Sequence, residues 1–345
     1  MSETTPKLDS QSGLGSLSEL VSPIASHLTA LDRFLETELG VFEVELRPLI
    51  AHSLKNSGKR LRPILVFFAG YDPQPSPAIP LVRAAAIVEL VHLATLVHDD
   101  ILDEARLRHR MVTLNTTHNN HVAVLTGDAL FAHALKLTAD FPTVEVCRIV
   151  ASATRMICAG EVGQTFARGD FDYTREAYYR AIDLKTAELF RVSAYLGAMV
   201  SGHPQDYQDA VARFARELGL AYQIYDDLID VMDDEEKAGK TLGTDWCSGK
   251  CTLPLILLRE KLSPEAFTAF QTRVRQGKVS LDDLRKMLIQ YAILPDVLEV
   301  FESHLEQGLR FLLPYMEKML GAPKLLLLND FIRSKVNAFA RSLAN

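Results

Sequence analysis

Two aspartate triplets of identical spacing each close a long apolar run. One is Asp99-Asp100-Ile101-Leu102-Asp103, and the other is Asp226-Asp227-Leu228-Ile229-Asp230. The runs before them repeat at helical rather than alternating spacing, so both triplets fall on helix ends. On a helix the first and last aspartates of a triplet lie one turn apart on one face. A single triplet reads equally well as a solvated helix end. Two, each set among apolar neighbours, read as opposing carboxylate walls. Leu93, Leu96, Val97, Ile101 and Leu102 surround the first; Tyr222, Ile224, Tyr225, Leu228 and Ile229 surround the second. Carboxylates held against apolar groups are costly unless paired or metal-bound, and clustered carboxylates repel one another. A hard cation such as magnesium offsets both costs and commonly bridges carboxylates to substrate phosphates.

The rest of the chain supports an all-α reading. Helical runs are expected over about Leu17–Leu54, Leu81–Asp103, Val122–Ala139, Glu145–Phe166, Arg175–Met199 and Tyr207–Met232. Loops are expected at Asp72–Pro80 and at the glycine-bearing stretch Asp234–Gly249. Ser263-Pro264 is a helix start, Ser280 to Asp283 a capping box, and Gly277 a helix stop. No strand pattern interleaves. The division expected is a flexible tail over residues 1–16 and a single all-helical domain over 17–345.

Composition narrows the function classes. With 48% hydrophobic residues a large core can form, and a formal charge of −7 argues against a general nucleic-acid binder. Cys147, Cys158, Cys247 and Cys251 make no zinc pattern, and so few cysteines suit a reducing, cytoplasmic setting. Leu81–Val97 comes nearest to a membrane span, but Arg83, Glu89 and His92 interrupt it. Positive charge sits where a diphosphate needs it. Gly58-Lys59-Arg60-Leu61-Arg62-Pro63 packs three cations into one segment, Arg106, Arg108 and Arg110 follow the first triplet, and Lys240 and Lys250 follow the second. Lys185-Thr186 pairs a cation with a hydroxyl, and polar Gln223 stands one turn before Asp227. Alone, His92 reads as a satisfied core histidine and Lys185 as a solvated lysine.

Taken in order, these segments resemble the trans-type polyprenyl diphosphate synthases. The resemblance runs from about Leu46 to Leu257. It is carried by Gly58–Pro63, Leu90–Glu104 with His92 and His98, Lys185-Thr186-Ala187, Gln223-Ile224-Tyr225, Asp226–Asp230, Gly239-Lys240, Asp245 and Lys250. It implies an isoprenoid synthase-type helical bundle around a central substrate cavity. The implied reaction condenses isopentenyl diphosphate onto an allylic diphosphate. Asp99, Asp100, Asp103, Asp226, Asp227 and Asp230 would hold three magnesium ions. Arg108, Lys185, Thr186, Gln223, Lys240 and Lys250 would hold the allylic substrate; Lys59, Arg62 and His92 would hold isopentenyl diphosphate. Lys185 and Lys240 would also support ionisation. A homodimer is the family expectation, with Val122–Leu137 as candidate interface helix, and a greasy product implies transient contact with a membrane surface.

The sequence departs from the family after the first triplet. An adjacent Arg-Arg pair followed by Gly is usual, whereas this chain reads Arg108-His109-Arg110. His109 thus stands where an arginine on the isopentenyl diphosphate side is expected, and a neutral imidazole holds phosphate less strongly than guanidinium. Small Ala94 and Thr95, before Asp99, are expected to leave a channel for a growing chain, with Phe131 or Leu135 as a deeper floor. The implied product is C30 or longer. The rival readings are a class I terpene cyclase, a His98-Asp99 phosphohydrolase, a subunit of a heteromeric synthase and a helical scaffold. The second aspartate triplet speaks against the first two.

Overall fold

The computed structural model describes residues 16–74, 77–233 and 242–344. Ser16, the last residue of the expected tail, caps the first helix in a capping box with Glu19. Helices α1 (Leu17–Val21), α2 (Ala25–Leu39) and α3 (Arg47–Lys55) divide the first expected run, broken at Gly40 and the turn after it. Then come α4 (Leu61–Ala69), α5 (Ile79–Leu102), α6 (Leu114–Thr117), α7 (Asn120–Thr138) and α8 (Glu145–Phe166). They are followed by α9 (Arg175–Ile182), α10 (Glu188–Val200) and α11 (Gln205–Met232). Six further α-helices and a short 3-10 turn at Leu313–Tyr315 complete the described chain, the last two α-helices long: Ile293–Leu312 and Gly321–Ala344. Ser263 accepts from Ala266 N, and Ser280 and Asp283 form the reciprocal capping box, each such cap contributing about 1 kcal/mol.

Helix α10 is the hub: it packs on α4, α5 and α11, while α11 packs in turn on Ile293–Leu312. The buried apolar side chains form one connected cluster, from Leu20 to Phe339. Helix α4 supplies Phe67 and Phe68, both fully buried, and such rings carry much of a core's burial energy. Helix α5 is apolar around its whole circumference, as suits a helix enclosed by others. It alone among the described helices is long and apolar enough to cross a membrane, yet 67% of its apolar window is buried inside the protein.

Two features depart from the sequence reading. A two-stranded antiparallel hairpin, β1 (Leu107–Arg108) and β2 (Met111–Val112), follows the first triplet. Its turn residues, His109 and Arg110, both adopt positive φ, 48° and 63°, the backbone a tight two-residue hairpin demands. The run expected over Arg175–Met199 is interrupted by one wider, π-type turn at Asp183–Ala187, a distortion that tends to mark functional positions.

Candidate active site

The C-terminal ends of α5 and α11 open on one cavity of about 420 Å³. Its wall includes Asp99 and Asp103 from α5 and the turn after it, and Asp226, Asp227 and Asp230 from α11. Asp100 is the exception. It lines a smaller neighbouring pocket with His52 and Asn56, and its Oδ1 accepts from Arg108 Nε at 2.7 Å. Five of the six expected aspartates therefore share the cavity, and the sixth anchors an arginine of its wall.

Each carboxylate is held by partners. Lys250 Nζ lies 2.8 Å from Asp103 and 3.2 Å from Asp245, and Arg168 donates to Asp103 at 3.1 Å. Lys185 pairs with Glu161 and stands 3.8 Å from Asp99. Asp230 accepts from Thr244 Oγ1 and from the backbone N–H of Asp245. Asp227 accepts from Tyr178 Oη and from Gln223 Nε2, each at 2.7 Å, and the amide of Gln223 is turned by Thr186, which donates to its Oε1. That last chain depends on the π-type turn, which lies tightly between α8 and α11. A Cβ at Gly160 would sit 2.8 Å from Lys185 N, and one at Gly219 would sit 2.7 Å from Ala187 Cα.

The electrostatics are those of crowded, desolvated charge. Burial, together with the charge of Asp245, pushes the Asp227 carboxyl up to about 8. Burial raises Asp99 and Asp100 as well, against the opposing Lys185 and Arg108 charges. Asp103 is also buried, but Lys250 outweighs that and carries it below the ordinary range. Burial acts to lower the Lys185 ammonium, yet Asp99 and Glu161 hold it above a lysine's usual value. Among the described residues no three side chains form a ready-made metal cage. The donor set is nonetheless all carboxylate oxygen, several of its members stay costly to ionise, and a hard divalent cation fits both facts.

The basic wall comes from α4, α5 and the hairpin. Arg62 Nη1 lies 3.0 Å from His92 Nε2, and its guanidinium stacks over Phe190 at 4.9 Å. Arg62 donates in that contact, so His92 Nε2 accepts. Burial and the neighbouring charges of Arg62, Arg108 and His109 keep the His92 imidazole well below its ordinary value, hence neutral. Burial lowers Arg62 itself to about 10. Arg108 and His109 line the same cavity.

The sequence-derived candidates divide as follows. Asp99, Asp103, Asp226, Asp227, Asp230, Arg62, His92, Thr95, Arg108, His109, Lys185, Thr186, Gln223 and Lys250 line one cavity. Lys59 is exposed at the segment's start and is not part of that wall, and Lys240 lies outside the described residues. Ala94 is fully buried and does not line the cavity, whereas Thr95, Leu96 and Phe131 do. The reason is helical phase: a residue four before Asp99 shares its face, and one five before is turned away. His98 reaches the wall, but its Nε2 is within 3.2 Å of Val124 O on α7, an anchoring contact. Tyr178, Glu161 and Arg168 were not singled out from sequence. Glu161 follows Gly160 on an expected helix and could have been flagged as a carboxylate facing Lys185. Tyr178 is one of ten tyrosines, and nothing local distinguishes it.

Comparison with known proteins decides what this arrangement belongs to. Residues 43–291 match the family model described as polyprenyl synthetase. The chain belongs to the polyprenyl synthetase family. It is 34% identical over 262 residues to an all-trans-nonaprenyl-diphosphate synthase (geranyl-diphosphate specific) of Rhodobacter capsulatus, covering 76% of this chain and 80% of that one. It is 34% identical to octaprenyl diphosphate synthase of Escherichia coli K12, covering 65% and 69%. Among solved structures, a polyprenyl synthase from Caulobacter crescentus CB15, complexed with calcium and isoprenyl diphosphate, superposes with a TM-score of 0.83 at 30% identity. That match covers 93% of this chain and 98% of the other. A decaprenyl diphosphate synthase from Rhodobacter capsulatus gives 0.84 at 29% identity, covering 93% and 99%. This polyprenyl synthetase is thus an almost wholly helical bundle of the isoprenoid synthase fold and an enzyme of the prenyltransferase class.

Proposed function

We propose that this enzyme extends an allylic diphosphate with successive isopentenyl diphosphate units to an all-trans product of C30 or longer. The observation that carries the reading is the meeting of five of the six triplet aspartates with a basic corner on one cavity. Asp99, Asp103, Asp226, Asp227 and Asp230, with Asp100 beside them, are the residues to hold magnesium, three ions by family analogy. Held by these carboxylates, magnesium would supply positive charge to the leaving pyrophosphate and so ease cleavage of the allylic C–O bond.

The chain's own groups do the rest. Arg108, Lys185, Thr186, Gln223, Lys240 and Lys250 hold the allylic diphosphate, and the pairing of Lys185 with Glu161 and of Lys250 with Asp103 keeps those ammoniums charged and aimed. Lys59, Arg62 and His92 bind isopentenyl diphosphate, and His92 also positions Arg62 by accepting from it at Nε2. The allylic cation that forms is attacked by the isopentenyl double bond, and a proton then leaves to the released pyrophosphate. Preorganised donors favour the places where charge grows in the transition state. Leu96, Phe131 and Ile157 line the apolar side of the cavity, where a growing chain is kept from water. Similarity to nonaprenyl, octaprenyl and decaprenyl synthases supports the long product.

The enzyme is further read as a cytoplasmic homodimer that touches a membrane surface only as product leaves. Leu125 on α7 is 64% exposed and Phe166 at the end of α8 is 86% exposed, apolar surface that a second copy would cover. Light scattering at micromolar concentration should return twice the chain mass; a monomeric mass would contradict the dimer. The relative named heptaprenyl diphosphate synthase component 2, from Geobacillus stearothermophilus, keeps a heteromeric reading in view. Full activity of the purified single chain would exclude it. Assay of the purified protein with magnesium, isopentenyl diphosphate and allylic starters tests the reaction itself.

A further inference from the structure

The hairpin turn brings an imidazole, instead of a permanent cation, into the basic corner. His109 Nδ1 lies 2.9 Å from the backbone oxygen of Asn56 and 3.1 Å from its Oδ1. A backbone carbonyl only accepts, so Nδ1 carries the hydrogen. In the neutral ring Nε2 then carries no hydrogen. Diphosphate oxygens are acceptors too, so a neutral His109 has no proton to offer them. Rotation of the ring to exchange its two nitrogens is opposed by its packing. Its Cε1–Nε2 edge lies against Gly58, where a Cβ would approach to 2.7 Å of Cε1, and β2 is tied to α3 through His52 Nε2 and Val112 O at 2.8 Å.

Arg62 from α4 and Arg108 from the hairpin line the same cavity as His109. His92 on α5 is held neutral as an acceptor from Arg62. Asp100, the nearby carboxylate, is engaged by Arg108. An incoming diphosphate brings negative charge to this corner and favours a second proton on the ring.

We infer that His109 is a proton-linked specificity residue, taking up a proton when the homoallylic diphosphate binds, so that affinity for that substrate alone weakens as pH rises. This rests on the reading that isopentenyl diphosphate occupies the Arg62–His109 corner. An imidazole ordinarily titrates near about 6.5, so the response falls within the working range of the enzyme.

The test is KM for isopentenyl diphosphate and for the allylic substrate between pH 6.5 and 8.5, for the wild type, His109→Arg and His109→Gln. The His109→Arg profile carries the substrate's own ionisation. Relative to it, the wild-type KM for isopentenyl diphosphate should rise about tenfold across the range, while KM for the allylic substrate follows one profile in all three. Calorimetry of isopentenyl diphosphate alone, in two buffers of different ionisation heat, should show proton uptake by the wild type that His109→Gln lacks. A shared KM profile for all three proteins, or equal proton uptake by wild type and His109→Gln, would overturn the inference. Failure of the wild type to elongate any starter would instead overturn the synthase reading, and the calorimetry would still decide the role of His109.

Discussion

The phenol of Tyr178 donates to Asp227 Oδ2 at 2.7 Å, from α9 across to α11, with the ring fully buried. Gln223 holds the other oxygen of the same carboxylate, so Asp227 is fixed in rotation before any ligand arrives. A carboxyl raised to about 8 by burial is poorly disposed to ionise unaided. Its two donors stabilise the charged form, and a cation would complete the compensation.

Tyr178→Phe removes one of those donors and leaves the Asp227 oxygen short of a partner. The expected loss of stability is about 1–3 kcal/mol, read by urea unfolding, together with weaker magnesium dependence of the rate. An unchanged unfolding midpoint would show that the contact contributes nothing.

Asp103→Asn and Asp230→Asn each remove a charge from opposite walls of the cavity. Each should lower kcat by about 10²–10³-fold, comparable to losing a preorganised electrostatic group elsewhere. Stripping divalent metal with a chelator should abolish turnover, and added magnesium should restore it. Retention of most activity in either variant, or in the stripped enzyme, would count against the metal site.

Thr95→Phe places a ring on the cavity wall one turn deeper than Asp99. Product masses should drop by one or more C5 units while the first condensation persists. Ala94→Phe acts differently, because Ala94 is enclosed in the core: overpacking there should cost about 1–3 kcal/mol of stability. An unchanged product from Thr95→Phe would remove this position from chain-length control.

Much of the site was legible because its chemistry is local in sequence. The aspartate triplets, Gly58–Pro63, and the Gln223 and Lys185 positions announce themselves by spacing and by polarity within apolar runs. The caps at Ser263 and Ser280 were readable for the same reason, since a cap and its partner lie three residues apart. What escaped depends on distant pairing. Tyr178 is 49 residues from Asp227, and only packing of α9 on α11 joins them. The hairpin escaped because two-residue strands leave no period to detect, and its turn lacks the usual glycine or asparagine. Ala94 and Thr95 looked alike in sequence, and helical phase separates them.

Glu89 supplies the clearest pH signature. It is fully buried on α5, and neither carboxyl oxygen has a hydrogen-bond partner among the described residues. Burial, partly opposed by Arg60 and Arg62, raises it from 4.5 to about 7. Between these values the folded protein keeps a proton that the unfolded chain has released, so stability falls as pH rises through that window. The span corresponds to about 3 kcal/mol. Glu89→Gln should match the wild type near pH 4.5 and exceed it by about that amount at pH 8, measured by urea unfolding. A constant difference at both pH values would contradict the assignment.

The most direct test of the central claim is product mass after incubating the purified protein with magnesium, isopentenyl diphosphate and, in turn, each allylic starter. A ladder of all-trans diphosphates growing by C5 steps and ending at C30 or beyond is the predicted result. A main product of C15 would contradict the open channel beneath Asp99, and no elongation with any starter would contradict the synthase assignment.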